Sequence, residues 1–219
     1  MLVTKYIHSC LLLEEGGEQL LFDPGTFTFK EGLVKPEQFR NIKWMVVTHT
    51  HPDHFDVPAI KQIIELSGAT VIGNDEIEEG LRTAGIPVTL LEDGKQTFGA
   101  FRLKALPAKH QPILSDTLPK NTSFVVNDTL LNGGDSFDAV LETYRGITTL
   151  AVPVQAPYLT ELHVMDYIMR IHPKRVIPIH DGYAKDFFIE QRYDNYVPEC
   201  KKLNIEFHRL AKPGDSVTL

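Results

Sequence analysis

Cysteine is almost missing from this sequence: Cys10 and Cys200 are the only two in 219 residues. Two thiols so far apart exclude a disulfide framework and a cysteine-built zinc site. Long hydrophobic runs are missing too, since no stretch approaches the ~18 continuous apolar residues of a membrane-spanning helix. The opening MLVTKYIHSC lacks the charged start and apolar stretch of a secretory signal. Surplus positive charge is also absent. The formal net charge of −7 excludes a general basic surface for nucleic acid, although a local positive mouth remains open. No low-complexity segment, linker or short repeat interrupts the chain. These absences lead to the expectation of a soluble, reduced, cytoplasmic protein built as one domain over residues 1–219.

What is present is a series of short apolar runs bounded by turn residues. Segments 9–15, 18–24 and 43–49 read as strands, with EEGG making a hairpin turn between the first two. Residues 56–68 carry Val57, Ile60, Ile63, Ile64 and Leu66 at helical spacing and stop at Gly68. A strand over 69–73, a helix over 74–85 and a strand over 87–92 follow. Residues 96–108 alternate like a hairpin, and 121–135 read as two strands joined at Asn127-Asp128. The pattern then becomes helix 136–146, strand 147–154, helix 159–172, strand 175–180 and a last helix near 183–203. IEFHRL and DSVTL read as edge strands. Two blocks of strands, each followed by alternating strand and helix, predict two α/β halves packed sheet to sheet with helices outside.

The chemistry concentrates in VVTHTHPDHF, where His49, His51, Asp53 and His54 fall within six positions directly after an apolar run. Residues two apart on a strand share a face, so His49 and His51 converge on one point. Pro52 bends the chain and lets Asp53 and His54 address a second point nearby. Imidazole nitrogen and carboxylate oxygen both suit borderline cations such as zinc. Four ligands this close crowd a single ion, so two adjacent ions are the more natural reading. Further ligands come from other strand ends: His110 in ALPAKHQP, Asp135 in LLNGGDS and His180 in RVIPIHDG. Gly133 and Gly134 permit a tight bend before Asp135.

The order HxHxDH, His, GGD, His resembles the metallo-β-lactamase superfamily over nearly the whole chain. That resemblance implies a four-layer αββα sandwich and a dinuclear metal site. It implies that His49, His51 and His110 hold one ion, that Asp53, His54 and His180 hold the other, and that Asp135 bridges both. Asp23, in LLFDPG, then supports the histidine loop from behind. The opening TKYIHSCLLLEEGGEQLLFDP is similar to the branch containing ascorbate-6-phosphate lactonase-like proteins, with Ile7 standing where that branch usually has glycine.

A metal-dependent hydrolase follows from the resemblance, with a bridging hydroxide attacking a small ester, lactone or phosphoester. Zinc is the first candidate and manganese or iron the alternatives. Asp53 is the natural base or orienter, and His8 a candidate proton donor or substrate contact. Lys5, Lys109 and Lys120 are candidates for a positive mouth that receives an anionic small molecule. Tyr158, Gln155 and Tyr183 are placed to line the pocket, and with no cap domain a homo-oligomer could close it. His163, His172 and His208 read as ordinary histidines. Competing readings are a nuclease or phosphodiesterase of the same superfamily, disfavoured by charge and by the lack of room for an inserted arm, and a non-hydrolytic metal or redox module. His51 disfavours the redox form, because flavo-diiron relatives usually carry glutamate there.

Overall fold

Strand β2 (Leu11–Glu15) buries Leu11 and Leu13 on one side and Leu12 on the other. A strand dry on both faces needs a layer above and a layer below. The computed structural model, which describes residues 1–219, supplies both. β1 (Leu2–Lys5), β2, β3 (Glu18–Phe22), β4 (Trp44–Val46), β5 (Thr70–Gly73), β6 (Val88–Leu90) and β14 (Asp215–Thr218) make one seven-stranded sheet in the order β14-β1-β2-β3-β4-β5-β6. The second runs β13-β12-β11-β10-β9-β8-β7. Its strands are β7 (Gly94–Phe98), β8 (Phe101–Pro107), β9 (Thr122–Val126), β10 (Leu130–Asn132), β11 (Thr149–Pro153), β12 (Arg175–Ile179) and β13 (Glu206–Phe207). Both sheets mix antiparallel hairpins with parallel strands.

Three cores separate four layers. Leu11, Leu13, Phe22 and Val46 of the first sheet meet Leu103, Phe124, Leu130 and Ile177 of the second in the central core. After the single turn α1 (Thr26–Phe29), the first sheet's other face, with Leu12, Leu21, Met45 and Val71, packs on Ile60 and Ile63 of α2 (Val57–Ser67) and on Ile77 and Leu81 of α3 (Asp75–Arg82). The second sheet's outer face packs on α4 (Glu161–Ile171) and α5 (Asp186–Lys202) through Val164, Tyr167, Ile168, Tyr193 and Tyr196. The architecture is the αββα sandwich. Local chemistry starts and stops the helices: the Asp56 and Asn74 side chains cap α2 and α3 by accepting the Ala59 and Ile77 amides. Asn127 and Asp128 both take left-handed backbone (φ 51° and 53°), as a tight β9–β10 hairpin requires.

Three boundaries differ from the sequence reading. Residues 136–146 make only a 3₁₀ turn over Ala139–Tyr144, confined between the Asp138 cap and Gly146 at φ 84°. β1 was not anticipated; it is four residues long with no apolar run, yet it pairs with β2 and β14 on its two edges. The strand expected over 43–49 stops at Val46, because the Thr48 amide leaves the ladder for Asp23 Oδ1 at 2.8 Å. No helix is long and apolar enough to cross a membrane.

The pairing pattern fixes where the polar residues go. β1, β3 and β4 run parallel to one another, as do β8, β10 and β12. Their C-terminal ends therefore share one edge of the sandwich, and there the chain places His8, Asp23, His49, His110, Asp135 and His180.

Candidate metal centre

Two groups of donor atoms face each other at that edge. One is His49, His51, His110 and Asp135; the other is His8, Asp53, His54 and His180; within each group the donor atoms lie within 4.8 Å of one another. All seven residues singled out as ligands are thus brought together. Asp135 joins the groups: its Oδ1 is 3.3 Å from His54 Nε2, and its Oδ2 is 3.4 Å from His110 Nε2 and 3.1 Å from His180 Nε2. Asp53 Oδ2 lies 3.3 Å from His180 Nε2 and 4.0 Å from His54 Nε2. His163, His172 and His208 belong to neither group.

The imidazoles are held from behind. His110 Nδ1 and His180 Nδ1 each donate to a backbone carbonyl at 2.6 Å, of Gln111 and Gln155. His54 Nδ1 donates to Asp23 Oδ2 at 2.9 Å, and His49 Nδ1 donates to Thr48 Oγ1 at 3.0 Å, which in turn donates to Asp23 Oδ2. With Nδ1 so engaged, each ring turns Nε2 inward. His49, His54 and His110 Nε2 and Asp135 Oδ1 are buried without a hydrogen-bond partner. Buried polar atoms are almost always paired, so four orphans converging on one spot suit a cation. Nδ1 bound to carboxylate or carbonyl with Nε2 free is the arrangement of metal-binding histidines.

The protonation pattern agrees. Burial would push the Asp135 carboxyl up, but the neighbouring His180 and His54 outweigh it and hold the group well below the usual carboxylate range. Burial likewise opposes charge on His180, yet Asp135 and then Asp53 raise its pKa to about 10. His54 is raised for the same reason, against its burial, by Asp135 and Asp23. A divalent cation would take the place of those protons.

His8 is not placed as a proton donor to substrate. Its ring is fully buried; Nδ1 accepts the Gly182 amide at 3.1 Å and Nε2 donates to Asp53 Oδ2 at 3.0 Å. Burial and the nearby His180 push its pKa down to about 3, which keeps it neutral. The lysines considered for a positive mouth are mostly engaged elsewhere. Lys5 is buried against Asp181, and Lys120 pairs with Asp75 and Glu92, both at 2.8 Å, which leaves exposed Lys109 alone. Tyr158 donates its hydroxyl to Asp135 Oδ2, and Tyr183 lies edge-on to His180 with ring centroids 6.1 Å apart.

Several supports went unseen in the sequence. Asn121 holds two ligand loops at once, donating to the Ala108 and Gly133 carbonyls and accepting the Asp135 amide. Gly134, read from the sequence as permitting the bend before Asp135, sits at φ 56° and so close that a Cβ would stand 2.4 Å from Asn121 Oδ1. Gly25 matters more. A Cβ there would lie 1.9 Å from the Asp53 carbonyl oxygen and 2.4 Å from the His54 amide nitrogen. The DPG triplet was the available signal, because glycine beside a strand end often marks close backbone approach. Gly25→Ala must displace the 53–54 backbone, and misplacement by ~1 Å can cost about 10²-fold in rate. The variant is expected to lose metal and turnover together, by metal analysis and steady-state kinetics, while the overall secondary structure stays native by circular dichroism.

Comparison with known proteins follows the same line. A family model described as a β-lactamase superfamily domain matches residues 2–180. Protein Rv0786c of Mycobacterium tuberculosis is 30% identical over 191 residues, covering 83% of this chain and 84% of that one. A UPF0173 metal-dependent hydrolase of Pyrococcus abyssi is 22% identical, over 82% of this chain and 84% of its own. Among solved structures, Igni18, a metallo hydrolase of Ignicoccus hospitalis, superposes with a TM-score of 0.74 at 18% identity, over 100% of this chain and 97% of that one. With two mixed sheets between helical layers and the family match extending from β1 through His180, this chain belongs to the metallo-β-lactamase superfamily.

Proposed function

We propose that this metal-dependent hydrolase cleaves a small ester, lactone or phosphoester at a dinuclear centre. His49, His51 and His110 hold one ion, Asp53, His54 and His180 the other, and Asp135 serves both. The observation that carries the reading is the pair of adjacent donor groups joined through Asp135, with His49, His54 and His110 Nε2 buried and unpartnered. Zinc fits these borderline donors first, and manganese or iron fit next. Bound there, two divalent ions would supply a hydroxide nucleophile near neutral pH and a Lewis acid for the oxygen under attack.

The remaining work belongs to side chains. Asp53 is 19% exposed against 2% for Asp135, so it is the carboxylate that meets substrate and water. His8 fixes the Asp53 rotamer through Oδ2, leaving Oδ1 to take a proton from water and pass it to the departing group. Tyr158 and Tyr183 flank the centre with phenol rings suited to a compact organic substrate. The hairpin running into Asp23-Pro24 supports kinship with the lactonase-like branch. A nuclease is less well supported, since Lys5 and Lys120 are tied in ion pairs and the chain carries a net charge of −7.

Elemental analysis and substrate panels test the proposal. The protein is expected to carry close to two divalent ions and to turn over members of an ester, lactone and phosphoester panel. Chelation should abolish turnover and zinc or manganese restore it. Metal-loaded protein inert across all three substrate classes would sink the hydrolytic reading, and iron with a visible absorption band would redirect it to redox chemistry.

A further inference from the structure

One charged cluster beside the centre binds nothing in the reading above. Lys5 and Asp181 are 2% and 4% exposed. Lys5 Nζ donates to Asp181 Oδ2 at 2.5 Å, to the Leu210 carbonyl at 3.0 Å and to the Tyr193 hydroxyl at 3.2 Å. Tyr193 donates to the same Asp181 oxygen at 2.5 Å. Desolvating two charges costs about as much as their attraction returns, so a buried pair is weak evidence for stability. What it does is tie specific pieces of chain together. Lys5 ends β1 in the first sheet, Asp181 follows β12 in the second, and Tyr193 lies on α5. Just beyond the pair, the His180 amide donates to the His8 carbonyl at 3.2 Å and the Gly182 amide to His8 Nδ1. His8 and His180 both sit at φ 65°, a conformation that persists in a non-glycine residue only when its surroundings impose it.

We propose that Lys5, Asp181 and Tyr193 are positioning residues, a buried polar clamp that locks the ends of β1 and β12 together and holds His8 and His180 on Asp53. The clamp's consequence for ion binding rests on the dinuclear reading; its consequence for the imidazoles does not.

The Lys5→Met/Asp181→Asn double variant removes both charges at nearly constant shape and leaves Tyr193 a neutral acceptor. In metal-free protein, ring nitrogen NMR is expected to show the His8 and His180 signals shifted and broadened, with those of His49 and His110 unmoved. In a zinc titration against a competing chelator, one ion should bind about 10–100-fold more weakly, the usual effect of loosening a ligand's support, while the other keeps its affinity. Tyr193→Phe keeps the ring, deletes one hydroxyl and should give the same pattern at smaller amplitude; it decides the matter where the double variant does not fold. Unmoved His8 and His180 signals in a folded variant overturn the clamp. Moved signals with unchanged zinc affinity overturn its part in ion binding. Wild-type protein that takes up neither zinc nor manganese nor iron overturns the dinuclear reading instead, and the metal-free spectra still decide the clamp.

Discussion

Replacing Asp135 with alanine is expected to lower kcat/KM by at least about 10³-fold, roughly 4 kcal/mol of transition-state stabilisation. Its two oxygens lie within 3.4 Å of histidines from both donor groups. Its Oδ1 faces His54 and its Oδ2 faces His110 and His180, so its loss separates the groups electrostatically as well as geometrically. Asp135 is also the charge that does most to raise the pKa values of His180 and His54 against their burial. Without it, inward-facing imidazoles share a dry site with Asp53 as the remaining carboxylate in reach. The variant should therefore retain at most one ion, and saturating zinc should fail to restore activity. Tyr158 would lose its acceptor too, leaving a hydroxyl unpaired in a partly buried position. Full activity in Asp135→Ala, or two tightly held ions, would contradict the assignment of Asp135 to both groups.

How much of this could be read in the chain depends on the kind of residue. His49, His51, Asp53 and His54 announce themselves because they are dense and adjacent. His110, Asp135 and His180 are found because each ends an apolar run, and parallel strands deliver such ends to one edge. The central core is equally plain, since Leu11, Leu13 and Phe22 alternate with residues facing the other way. Supporting residues are different. Asn74 caps α3, an ordinary role that hides its donation to the Lys120 carbonyl at 2.9 Å, where it holds the segment behind His110. Lys5 and Asp181 are separated by 176 positions, and nothing local marks a lysine for burial. His8 shows the limit most clearly. Its residue type suggests proton transfer, but the Gly182 amide at one nitrogen and Asp53 at the other make it a brace. A residue's type and local pattern indicate what it is able to bind; only the contacts across sheets show whether it is free to do so.

Asp23 offers the sharpest separation of charge from shape. It is fully buried at φ 45°, a backbone that Asp and Asn both tolerate, and it accepts from the Thr48 amide at 2.8 Å, Thr48 Oγ1 at 2.9 Å and His54 Nδ1 at 2.9 Å. Asp23→Ala leaves these donors unpaired in a dry interior, at about 1–3 kcal/mol for each buried group left unsatisfied. Chemical denaturation should show that loss, and partial unfolding would obscure any effect on the centre. Asp23→Asn preserves volume and one acceptor oxygen. The oxygen can keep the Thr48 amide, but the new amide group presents hydrogens to His54 Nδ1 and Thr48 Oγ1. His54 then loses the carboxylate that fixes its tautomer, and the restraint passing through Thr48 to His49 slackens at the same time. The asparagine variant is therefore expected to fold with near-native stability yet bind zinc about 10–100-fold more weakly, the range usual for a ligand's hydrogen-bonded support. Because His49 and His54 belong to different groups, the affinities of both ions should fall together. Weakening confined to one ion would mean that Asp23 acts through a single histidine, and unchanged affinity for both would show that the loop holds its shape without the carboxylate.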